Sequence, residues 1–507
     1  MIIEIMDTTL RDGEQTSGVS FTDVEKLNIA KFLLREVKVD RIEVASARVS
    51  NGELESVKRI TEWANKRGYL DRVEVLGFVD GKKSIDWIRQ AGARVVNLLC
   101  KGSRRHVEIQ LGKTLEEHLK DIREVIDYAS QFGMDINIYL EDWSNGMKDS
   151  PDYVFSLLEA LKEENIKRFM LPDTLGVLNP DRTAEYCSQV VSRFPELSFD
   201  FHAHNDYGLA IANCLAAIKA GVKGIHTTVN GLGERAGNAE LSAIVVNIHD
   251  QIGFKTGVNE EKLYEISRLV ARFSGERVPA NLPIVGGNVF TQVSGVHADG
   301  DKKGNLYFND LLPERFGRTR QYALGKTSGK ASIKKNLEHL GIQLDKESLE
   351  KISEKITELG DKKNNITLED LPYIVSEVLG DRILEEKVKL DNYYIANAHG
   401  LRPMANLSIY IDGEKYEASA TGGGQYDAFM NALAKIYKDI KKELPELTDY
   451  IVTIPPGGQT NALVETVITW NYQGEEFKTK ALDPDQTTAA IIATMKMLNY
   501  LENYFAH

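Results

Sequence analysis

Two short motifs contain residue types that together could bind one metal ion. Arg11 and Asp12 follow the first apolar run of the chain, and His202 and His204 lie two residues apart in a later run. Residues at i and i+2 of a strand face the same side, so both imidazoles could reach one cation. Asp12 would add a carboxylate, and Arg11 would neutralise charge developing on a substrate oxygen. The alternatives are a surface salt bridge and two structural, hydrogen-bonded histidines.

A side-chain amide could complete this set of ligands. Asn238 lies in the loop that follows the last predicted strand of the first half of the chain. Two imidazoles, a carboxylate and this amide offer nitrogen and oxygen but no thiolate. Such a set suits Mg²⁺, Mn²⁺ or Zn²⁺ and leaves positions open for substrate oxygens. The sequence therefore predicts a divalent metal site and leaves the choice among these ions open.

The elements that must position these residues alternate short apolar runs with longer helical patterns. Thr22 and Glu25 form a capping box at the start of the first helical pattern. The apolar face of this predicted helix comprises Val24, Leu27, Ala30, Leu34 and Val37. Eight such units over about 250 residues are typical of a TIM (β/α)8 barrel. An open doubly wound sheet is the alternative, although no GxGxxG follows the first run. The predicted strands are Ile2–Asp7, Arg41–Ala47, Val73–Val79, Val95–Cys100, Ile136–Glu141, Arg168–Asp173, Ser198–His204 and Gly224–Asn230.

The composition narrows the classes of function. The chain has 507 residues and a net charge of −13, without a basic stripe, which argues against a nucleic-acid partner. It has no apolar run of membrane-spanning length and no signal-peptide pattern. Its three cysteines form no CxxC motif, which favours a reducing compartment. These features predict a cytoplasmic protein that acts on small molecules.

The last part of the chain contains an internal repeat. Gly413–Phe429 aligns without gaps on Gly474–Ala490, with Gly, Ala, Gln and Ala recurring 61 residues apart. Each copy predicts two strands and then an apolar helix, at Ala428–Ile436 and Ala489–Leu498. A purely structural dimerisation domain is one interpretation of this unit. We predict three regions: a barrel at 1–275, small α-rich linker subdomains at 276–385 and a C-terminal α+β domain with an internal duplication at 386–507.

Three motifs occur in order along the barrel region: TLRDGEQ at 9–15, HAHND at 202–206 and NGLGERAGN at 230–238. On these motifs the sequence resembles the family of 2-isopropylmalate, homocitrate and citramalate synthases, and within it the citramalate synthases. The resemblance extends over the linker and the C-terminal domain. It implies a metal-dependent TIM-barrel acyltransferase that condenses acetyl-CoA with a 2-oxo acid and releases CoA.

The resemblance also implies roles for single residues. Arg11 would polarise the keto group and stabilise the alkoxide, and Thr174 would hydrogen-bond the substrate carboxylate. Glu141 would take part in deprotonating acetyl-CoA, although a supporting contact with Arg11 is its alternative role. His297 and Tyr307, in the linker, would assist proton transfer or position the thioester. Asp12, His202, His204 and Asn238 would hold the metal.

Three apolar positions bear on the choice of 2-oxo acid. Leu76, Leu99 and Tyr139 match the pocket of citramalate enzymes, whereas isopropylmalate synthases tend to have a small residue at the position of Tyr139. A phenol ring and two leucines would fill the space that a branched chain needs, and overpacking costs about 1–3 kcal/mol. This favours pyruvate over 2-oxoisovalerate. Ordinary packing in the barrel core is the alternative role of these residues.

The C-terminal domain resembles the family's regulatory domain, which binds an end-product amino acid and inhibits at a distance. Isoleucine would fit a pathway that consumes pyruvate, and leucine one that consumes 2-oxoisovalerate. The resemblance also implies a homodimer. The residues that match the effector site are Tyr426, Asp427, Leu447, Tyr450, Ile454, Pro484 and Gln486.

Two other classes of function are alternatives to this enzyme. A lyase related to 3-hydroxy-3-methylglutaryl-CoA lyase would share the barrel and the histidine pair, but such lyases generally carry a catalytic cysteine after the eighth strand, where this chain has none. A non-catalytic amino-acid sensor would leave the polar barrel mouth unexplained.

The sequence departs from the family pattern at one position. Where relatives often have a glutamate four residues after Asn238, this chain has Ser242.

Overall fold

The computed structural model of the chain describes residues 1–292, 309–322, 324, 328–339, 342, 344–361, 366, 370–379, 386–453 and 464–504. They fall into two units. One consists of Met1–Phe290 and Asn309–Thr319, and the other contains the described residues among 291–308 and 320–507. Within these described ranges, no helix has the length and apolar character needed to cross a membrane. The candidate metal ligands all belong to the first unit.

Eight parallel strands close the first unit into a barrel, and β1 pairs with β8 to complete it. Short apolar runs form these strands because both of their faces are buried, one inside the barrel and one under the helices. The predicted TIM barrel is therefore confirmed. The strands are β1 (Glu4–Asp7), β2 (Arg41–Ser46), β3 (Val73–Phe78), β4 (Val95–Lys101), β5 (Asp135–Glu141), β6 (Ile166–Asp173), β7 (Phe199–Ala203) and β8 (Gly224–Thr227).

Helices surround the barrel and connect its strands. Their apolar faces pack on the strands in one continuous core. The helices are α1 (Asp23–Phe32), α2 (Asn51–Arg67), α3 (Lys83–Gln90), α4 (Leu115–Ser130), α5 (Trp143–Asp149), α6 (Pro151–Leu161), α7 (Pro180–Arg193), α8 (Ala210–Lys219), α9 (Leu241–Asn247) and α10 (Leu263–Ser274).

Helix α1 shows how the local sequence starts these helices. The Glu25 amide donates to the Thr22 hydroxyl and the Thr22 amide donates to the Glu25 carboxylate, so the predicted capping box is present. The prediction that Val24 lies on the buried face is wrong, since this side chain is exposed. Lys26 is buried instead, where its ammonium lies 2.6 Å from the Glu14 carboxylate. An ion pair thus replaces an apolar contact on the inner side of this turn.

The second unit contains two three-stranded antiparallel sheets and five helices among its described residues. Both sheets pack with helices around one apolar core. Ahead of the sheets lie the paired strands β9 (Thr291–Gln292) and β10 (Gln321–Tyr322) and the helices α11 (Lys330–His339), α12 (Lys346–Asp361) and α13 (Leu371–Leu379). The first sheet and its helix are β11 (Val388–Ala396), β12 (Met404–Ile411), β13 (Glu414–Thr421) and α14 (Gln425–Asp439). The second set is β14 (Glu446–Thr453), β15 (Val464–Tyr472), β16 (Glu475–Asp483) and α15 (Gln486–Tyr504).

The two sheets confirm the predicted internal duplication. Strands β13 and β16 begin 61 residues apart, at Glu414 and Glu475, and helices α14 and α15 begin at the same offset, at Gln425 and Gln486. Each copy has three strands before its helix, where two were predicted. The repeated residues contain only β13 and β16 with the helix starts that follow them, and the other two strands of each sheet precede the repeat.

Candidate metal centre and substrate pocket

The loop after β1 places Arg11 and Asp12 at the mouth of the barrel. The Asp12 amide donates to the Thr8 carbonyl at 2.8 Å, which closes a tight turn. The buried Lys26 ammonium donates to the Leu10 carbonyl at 3.4 Å and so fastens the loop to α1. These hydrogen bonds fix the backbone of the loop that carries both functional side chains.

Asp12, His202 and His204 converge at this mouth, which is the arrangement that the motifs predict. The Oδ2 atom of Asp12 lies 3.0 Å from Nε2 of His202 and 3.8 Å from Nε2 of His204. The two Nε2 atoms are 3.4 Å apart. The i and i+2 spacing at the end of β7 thus turns both rings toward the carboxylate that follows β1. Three ligand atoms at these distances can bind one cation.

The electrostatics of the three residues suit a cation. Burial alone would raise the pKa of Asp12, but Arg11 and the two histidines outweigh it and hold this pKa well below its usual value. Burial, assisted by the adjacent His202, lowers the pKa of His204 to about 4. Asp12 is therefore ionised and His204 neutral near pH 7, and these are the forms that bind metal ions.

Buried polar atoms without partners indicate that the site fits a metal. The Oδ1 atoms of Asp12 and of Asn238 have no hydrogen-bond partner among the described residues. The Asn238 amide nitrogen donates to the Leu232 carbonyl at 3.1 Å, which leaves its oxygen free to bind an ion. Asn238 forms a β-bridge with His204, so the amide lies beside the triad. Unpaired buried oxygens are costly, and a bound cation would compensate them.

Gly233 makes room for this amide. A Cβ atom at this position would lie 2.1 Å from the Asn238 side-chain nitrogen, and the glycine has φ +150°. Any other residue would therefore displace Asn238 or strain the loop. Gly233 of the NGLGERAGN motif thus leaves space for the side chain of Asn238, at the end of the same motif.

A buried carboxylate that sequence reasoning missed holds Arg11. The Glu43 Oε2 atom accepts from the Arg11 Nε at 2.6 Å and from the Thr8 hydroxyl at 2.8 Å. Asn97 donates to the other Glu43 oxygen at 2.8 Å. Burial alone would lower the pKa of Arg11, but the carboxylates of Glu43 and Asp12 raise it above its usual value. Arg11 is thus a fixed cation at the mouth.

Glu141 lies at the end of β5 and pairs with Lys101 at the end of β4. The carboxylates paired with Arg11 among the described residues are those of Glu43 and Asp12. The Glu141 side chain is 26 % exposed, in contrast to the buried Glu43. Glu141 is therefore the carboxylate of the two that a substrate at the mouth could reach.

The three predicted pocket residues lie together inside the barrel. Leu76 and Tyr139 form a small buried cluster with Met6 and Met170, and Leu99 packs against it. This cluster is separate from the main core between strands and helices. The structure therefore places these residues at the mouth side of the barrel interior and not in the shared core.

The Tyr139 ring adjoins both chemical groups of the mouth. Its centroid lies 5.9 Å from that of the His202 ring, at an edge-to-face angle of 86°. The guanidinium carbon of Arg11 lies 5.8 Å from the Tyr139 ring centroid. A substrate bound between the metal ligands and Arg11 would therefore contact this ring.

The Tyr139 hydroxyl contacts a buried histidine, His226. The oxygen lies 2.9 Å from Nδ1 of His226, whose Nε2 lies 3.3 Å from the Asp200 carboxylate. Burial lowers the pKa of His226 to about 4, so the ring is neutral near pH 7. Because Nε2 faces a carboxylate, it carries the ring proton, and Nδ1 accepts the hydrogen bond from the phenol.

Arg235 joins the loops that follow the last three strands. It makes two hydrogen bonds to Asp206, at 2.7 and 2.9 Å, and donates to the Thr174 carbonyl at 2.8 Å. The Thr174 hydroxyl accepts from the Asp142 amide at 2.9 Å. Its proton remains available for another acceptor, as the predicted contact with a substrate carboxylate requires.

The missing glutamate at position 242 has a neighbour that supplies a carboxylate. Ser242 donates its hydroxyl to Glu240 at 2.6 Å, and Glu240 caps α9 by accepting from the amides of Ser242 and Ala243. The acid therefore lies two residues earlier in the loop than the family pattern has it. This loop therefore still contains a carboxylate, at position 240 instead of 242.

An open cleft of about 480 Å³ lies at the same end of the barrel, beside the loops after β4, β5 and β6. Its lining includes Arg105, His106 and Lys148 together with Asp142 and Leu175. The cleft thus combines cationic groups with an apolar contact close to Glu141.

Among the buried polar residues beneath the mouth that sequence reasoning missed, four bear on the contacts of Arg11 and Tyr139. They share a signal that could have revealed them: polar residues occur at alternate positions within otherwise apolar strand runs. In a barrel, alternate positions of a strand point inward. These four residues are Arg41 and Glu43 on β2, Asp200 on β7 and His226 on β8.

Comparison with known families and proteins agrees with this site. The model of the HMGL-like family matches residues 2–270, more than half of the chain. The chain belongs to the HMGL-like family. Residues 284–364 match the homocitrate synthase post-HMGL domain, and residues 365–502 match the LeuA allosteric (dimerisation) domain. The resemblance that the three motifs carry is confirmed, and so is an acyltransferase type of enzyme.

Relatives of this HMGL-like chain have two different names. A Methanopyrus kandleri protein, provisionally named an (R)-citramalate synthase, is 38 % identical over 90 % of this chain and 88 % of its own. The (R)-citramalate synthase of Methanocaldococcus jannaschii is 36 % identical over 99 % of this chain and 100 % of its own. The 2-isopropylmalate synthase of the same organism is 34 % identical over 98 % and 94 %. Identity alone does not separate the two names.

In the C-terminal unit, two of the predicted effector residues, Tyr426 and Tyr450, lie close together. The rings of Tyr426 and Tyr450 are 5.4 Å apart, and the Tyr426 hydroxyl lies 2.7 Å from that of Thr494. Thr487 donates to Gln425 at 2.9 Å, which brings the first turns of α14 and α15 together. Pro484 and Gln486, just before and at the start of α15, are exposed.

A β-bulge places Leu447 on the same face of its strand as Tyr450. The register of β14 on β15 shifts between Leu447 and Asp449, so that Leu447 pairs with Trp470 and Tyr450 with Ile468. Without this extra residue, positions three apart would face opposite sides of the sheet. Asp427 accepts from the Gly423 amide at 2.6 Å. The predicted site residues His297, Tyr307 and Ile454 lie outside the described residues.

Proposed function

We propose that this chain condenses acetyl-CoA with pyruvate and water to give citramalate and free CoA, in a reaction that needs a divalent metal ion. The observation that carries this proposal is the convergence of Asp12, His202 and His204 beside the fixed cation Arg11. The family shown by the comparisons agrees with an acetyl-CoA-dependent condensation.

The residues at the mouth would bind and orient the 2-oxo acid. Asp12, His202, His204 and Asn238 would hold a divalent ion, which supplies Lewis-acid polarisation of the keto group. Arg11, held by Glu43, faces the same oxygen and stabilises the negative charge that develops on it. The Thr174 hydroxyl donates to the substrate carboxylate.

The carbon–carbon bond would form beside Glu141. Its carboxylate takes a proton from the methyl group of acetyl-CoA, and the resulting carbanion attacks the keto carbon of pyruvate. The new alkoxide is neutralised by a proton, and water then cleaves the thioester to release CoA and a second carboxylate. We assign His297 and Tyr307 to assist proton transfer or to position the thioester. The cleft lined by Arg105, His106 and Lys148 offers cationic groups for the phosphates of CoA.

The pocket wall supports pyruvate as the 2-oxo acid. Leu76 and Tyr139 are only 5 % and 2 % exposed and pack against each other, so the wall is already filled. A methyl group needs little space, whereas an isopropyl group would overlap the phenol ring. Condensation with 2-oxoisovalerate is the second candidate, because relatives named 2-isopropylmalate synthase match at nearly the same identity.

We further propose that the C-terminal unit regulates the barrel and forms a homodimer. The match to the LeuA allosteric (dimerisation) domain supports this role. An amino acid would bind at the Tyr426 and Tyr450 rings, and isoleucine is the effector that fits a pyruvate-consuming pathway to that amino acid. The three buried cysteines are free thiols, which supports a reducing, cytoplasmic setting.

Release of CoA thiol from acetyl-CoA would test the reaction. We expect release with pyruvate and Mg²⁺ or Mn²⁺, none after chelation of the metal, and a kcat/KM for pyruvate at least tenfold above that for 2-oxoisovalerate. Isoleucine added to the same assay should slow release more than leucine does. A preference for 2-oxoisovalerate would refute the pyruvate assignment, and no release with any 2-oxo acid would refute the reaction.

A further inference from the structure

The Tyr139 phenol is held through its hydroxyl by a buried histidine on β8. Its hydroxyl donates to Nδ1 of His226 at 2.9 Å and lies 3.4 Å from an Arg11 nitrogen. The rings of Tyr139 and His226 meet edge to face, with centroids 5.5 Å apart. The proton of the phenol is therefore committed to His226, so Tyr139 presents a ring and not a proton donor to the pocket.

His226 is in turn fixed by charged residues deeper in the barrel. Its Nε2 donates to Asp200, and the same Asp200 oxygen lies 2.6 Å from Arg41. Gly224 admits this carboxylate, because a Cβ atom there would lie 2.1 Å from the Asp200 Oδ1. The phenol thus donates to His226 and His226 donates to Asp200, and the Arg41 guanidinium donates to the same Asp200 oxygen.

We propose that His226, held by Asp200, is a positioning residue that sets the size limit of the 2-oxo acid by fixing the Tyr139 ring as the pocket wall. This inference rests on the proposed condensation with a 2-oxo acid. It assigns selectivity to residues that need not touch the substrate. The hydrogen bond, and not the bulk of the phenol alone, keeps the wall in place.

The neighbours of Tyr139 explain why the hydrogen bond is needed. Two of the residues that pack against the ring are Met6 and Met170, whose unbranched side chains adapt readily to a shifted neighbour. Apolar packing alone would therefore let the ring move. A buried hydroxyl without an acceptor is unfavourable, so the tyrosine ring would turn to bring its hydroxyl toward another acceptor. This movement would enlarge the pocket.

Four variants of the full-length protein separate the hydrogen bond from the volume of the side chains. Tyr139→Phe removes only the hydroxyl. His226→Leu removes the acceptor at similar size, and His226→Asn keeps an acceptor near the position of Nδ1. The matched control is His249→Leu, because His249 also contacts a carboxylate, Glu260 at 2.6 Å, and a hydroxyl, Thr256 at 3.0 Å, but lies away from the pocket.

The measured quantity is the ratio of kcat/KM for pyruvate to that for 2-oxobutyrate and for 2-oxoisovalerate. We expect Tyr139→Phe and His226→Leu each to lower this ratio about tenfold, chiefly by lowering KM for the larger acids. The double variant should lower it no further than either single change, since both remove the same bond. His226→Asn should keep most of the selectivity, and His249→Leu should leave the ratio unchanged.

The outcomes distinguish this inference from the proposed function. If Tyr139→Phe retains the wild-type ratio, or if the two substitutions multiply in the double variant, the role of His226 is refuted while the condensation stands. A wild-type protein that releases no CoA with any 2-oxo acid refutes the condensation itself. Tyr139→Phe removes the hydroxyl and leaves no unpaired polar group on residue 139. The measurement on this variant therefore tests the inference even if His226→Leu does not fold.

Discussion

Asp12 and Asp200 are two buried carboxylates inside the same barrel, and their surroundings differ. The two oxygens of Asp200 face two guanidinium groups, Arg41 at 2.6 Å and Arg168 at 3.6 Å, and one imidazole, that of His226 at 3.3 Å. Asp12 has one arginine neighbour, at 3.4 Å, and two imidazole nitrogens. Opposing charges hold both pKa values well below the usual range despite burial.

The difference teaches how to tell a ligand site from a structural ion pair. A lowered pKa does not separate the two carboxylates, because any opposing charge produces it. The kind of neighbour does separate them. Guanidinium groups cannot bind a metal, whereas two imidazoles that converge on one carboxylate can. The comparison therefore supports the proposal that Asp12 binds a cation, whereas Asp200 and Arg41 form a buried ion pair.

The largest effect is expected from Asp12→Asn, which removes the charged ligand at nearly constant volume. We expect the rate of CoA release to fall on the order of 10³-fold and metal binding, measured by calorimetry, to be lost. Asp80→Asn is the matched control, because Asp80 pairs with Arg48 at the end of β3 and belongs to no ligand set. Full activity in Asp12→Asn would contradict the assignment of the metal site.

Substitution of Arg41, which lies beneath the mouth inside the barrel, should lower the stability of the protein. Arg41→Met leaves Asp200 and Glu74, 3.0 Å from the same guanidinium, without their buried partner. Breaking a buried pair in this way costs about 3 kcal/mol of the free energy of unfolding, measurable by urea denaturation of the barrel. Metal affinity per folded molecule should be preserved. If affinity fell with stability, the division between the two carboxylates would be wrong.

The smallest effect concerns pH. The pKa of His226 falls from 6.5 to about 4 on burial, so between these values the unfolded chain binds a proton that the folded chain does not. The contribution of this residue to stability is thus complete above pH 6.5. It is lost as pH falls toward 4, by at most about 1.4 kcal/mol per unit.

This window can be measured by unfolding the metal-free protein at pH 7 and at pH 5. The difference in unfolding free energy between wild type and His226→Asn should shrink at the lower pH. His118, whose pKa burial also lowers to about 4, lies on α4, and His118→Asn should show the same window without altering substrate selectivity. A difference that does not change with pH would contradict a neutral, buried His226.

Much of the fold could be predicted because its signals are local. The alternation of apolar runs with helical patterns recovered all eight barrel strands, with ends that differ by a few residues. The repeat of 61 residues recovered the duplication of the C-terminal unit, and the two predicted helices lie within α14 and α15, which each begin three residues earlier, at Gln425 and Gln486. Spacing within one strand was enough to bring His202 and His204 to one side of β7.

The contacts that hold the functional groups were not predictable in this way. Arg11 meets Glu43 across 32 positions of sequence, and Tyr139 meets His226 across 87. Neither pair has a spacing that repeats, because closure of the barrel determines which inward-facing residues meet. The sequence by itself determined the kinds of residue at the mouth and the strands that carry them. Only the tertiary structure decided which carboxylate holds Arg11 and which histidine holds Tyr139.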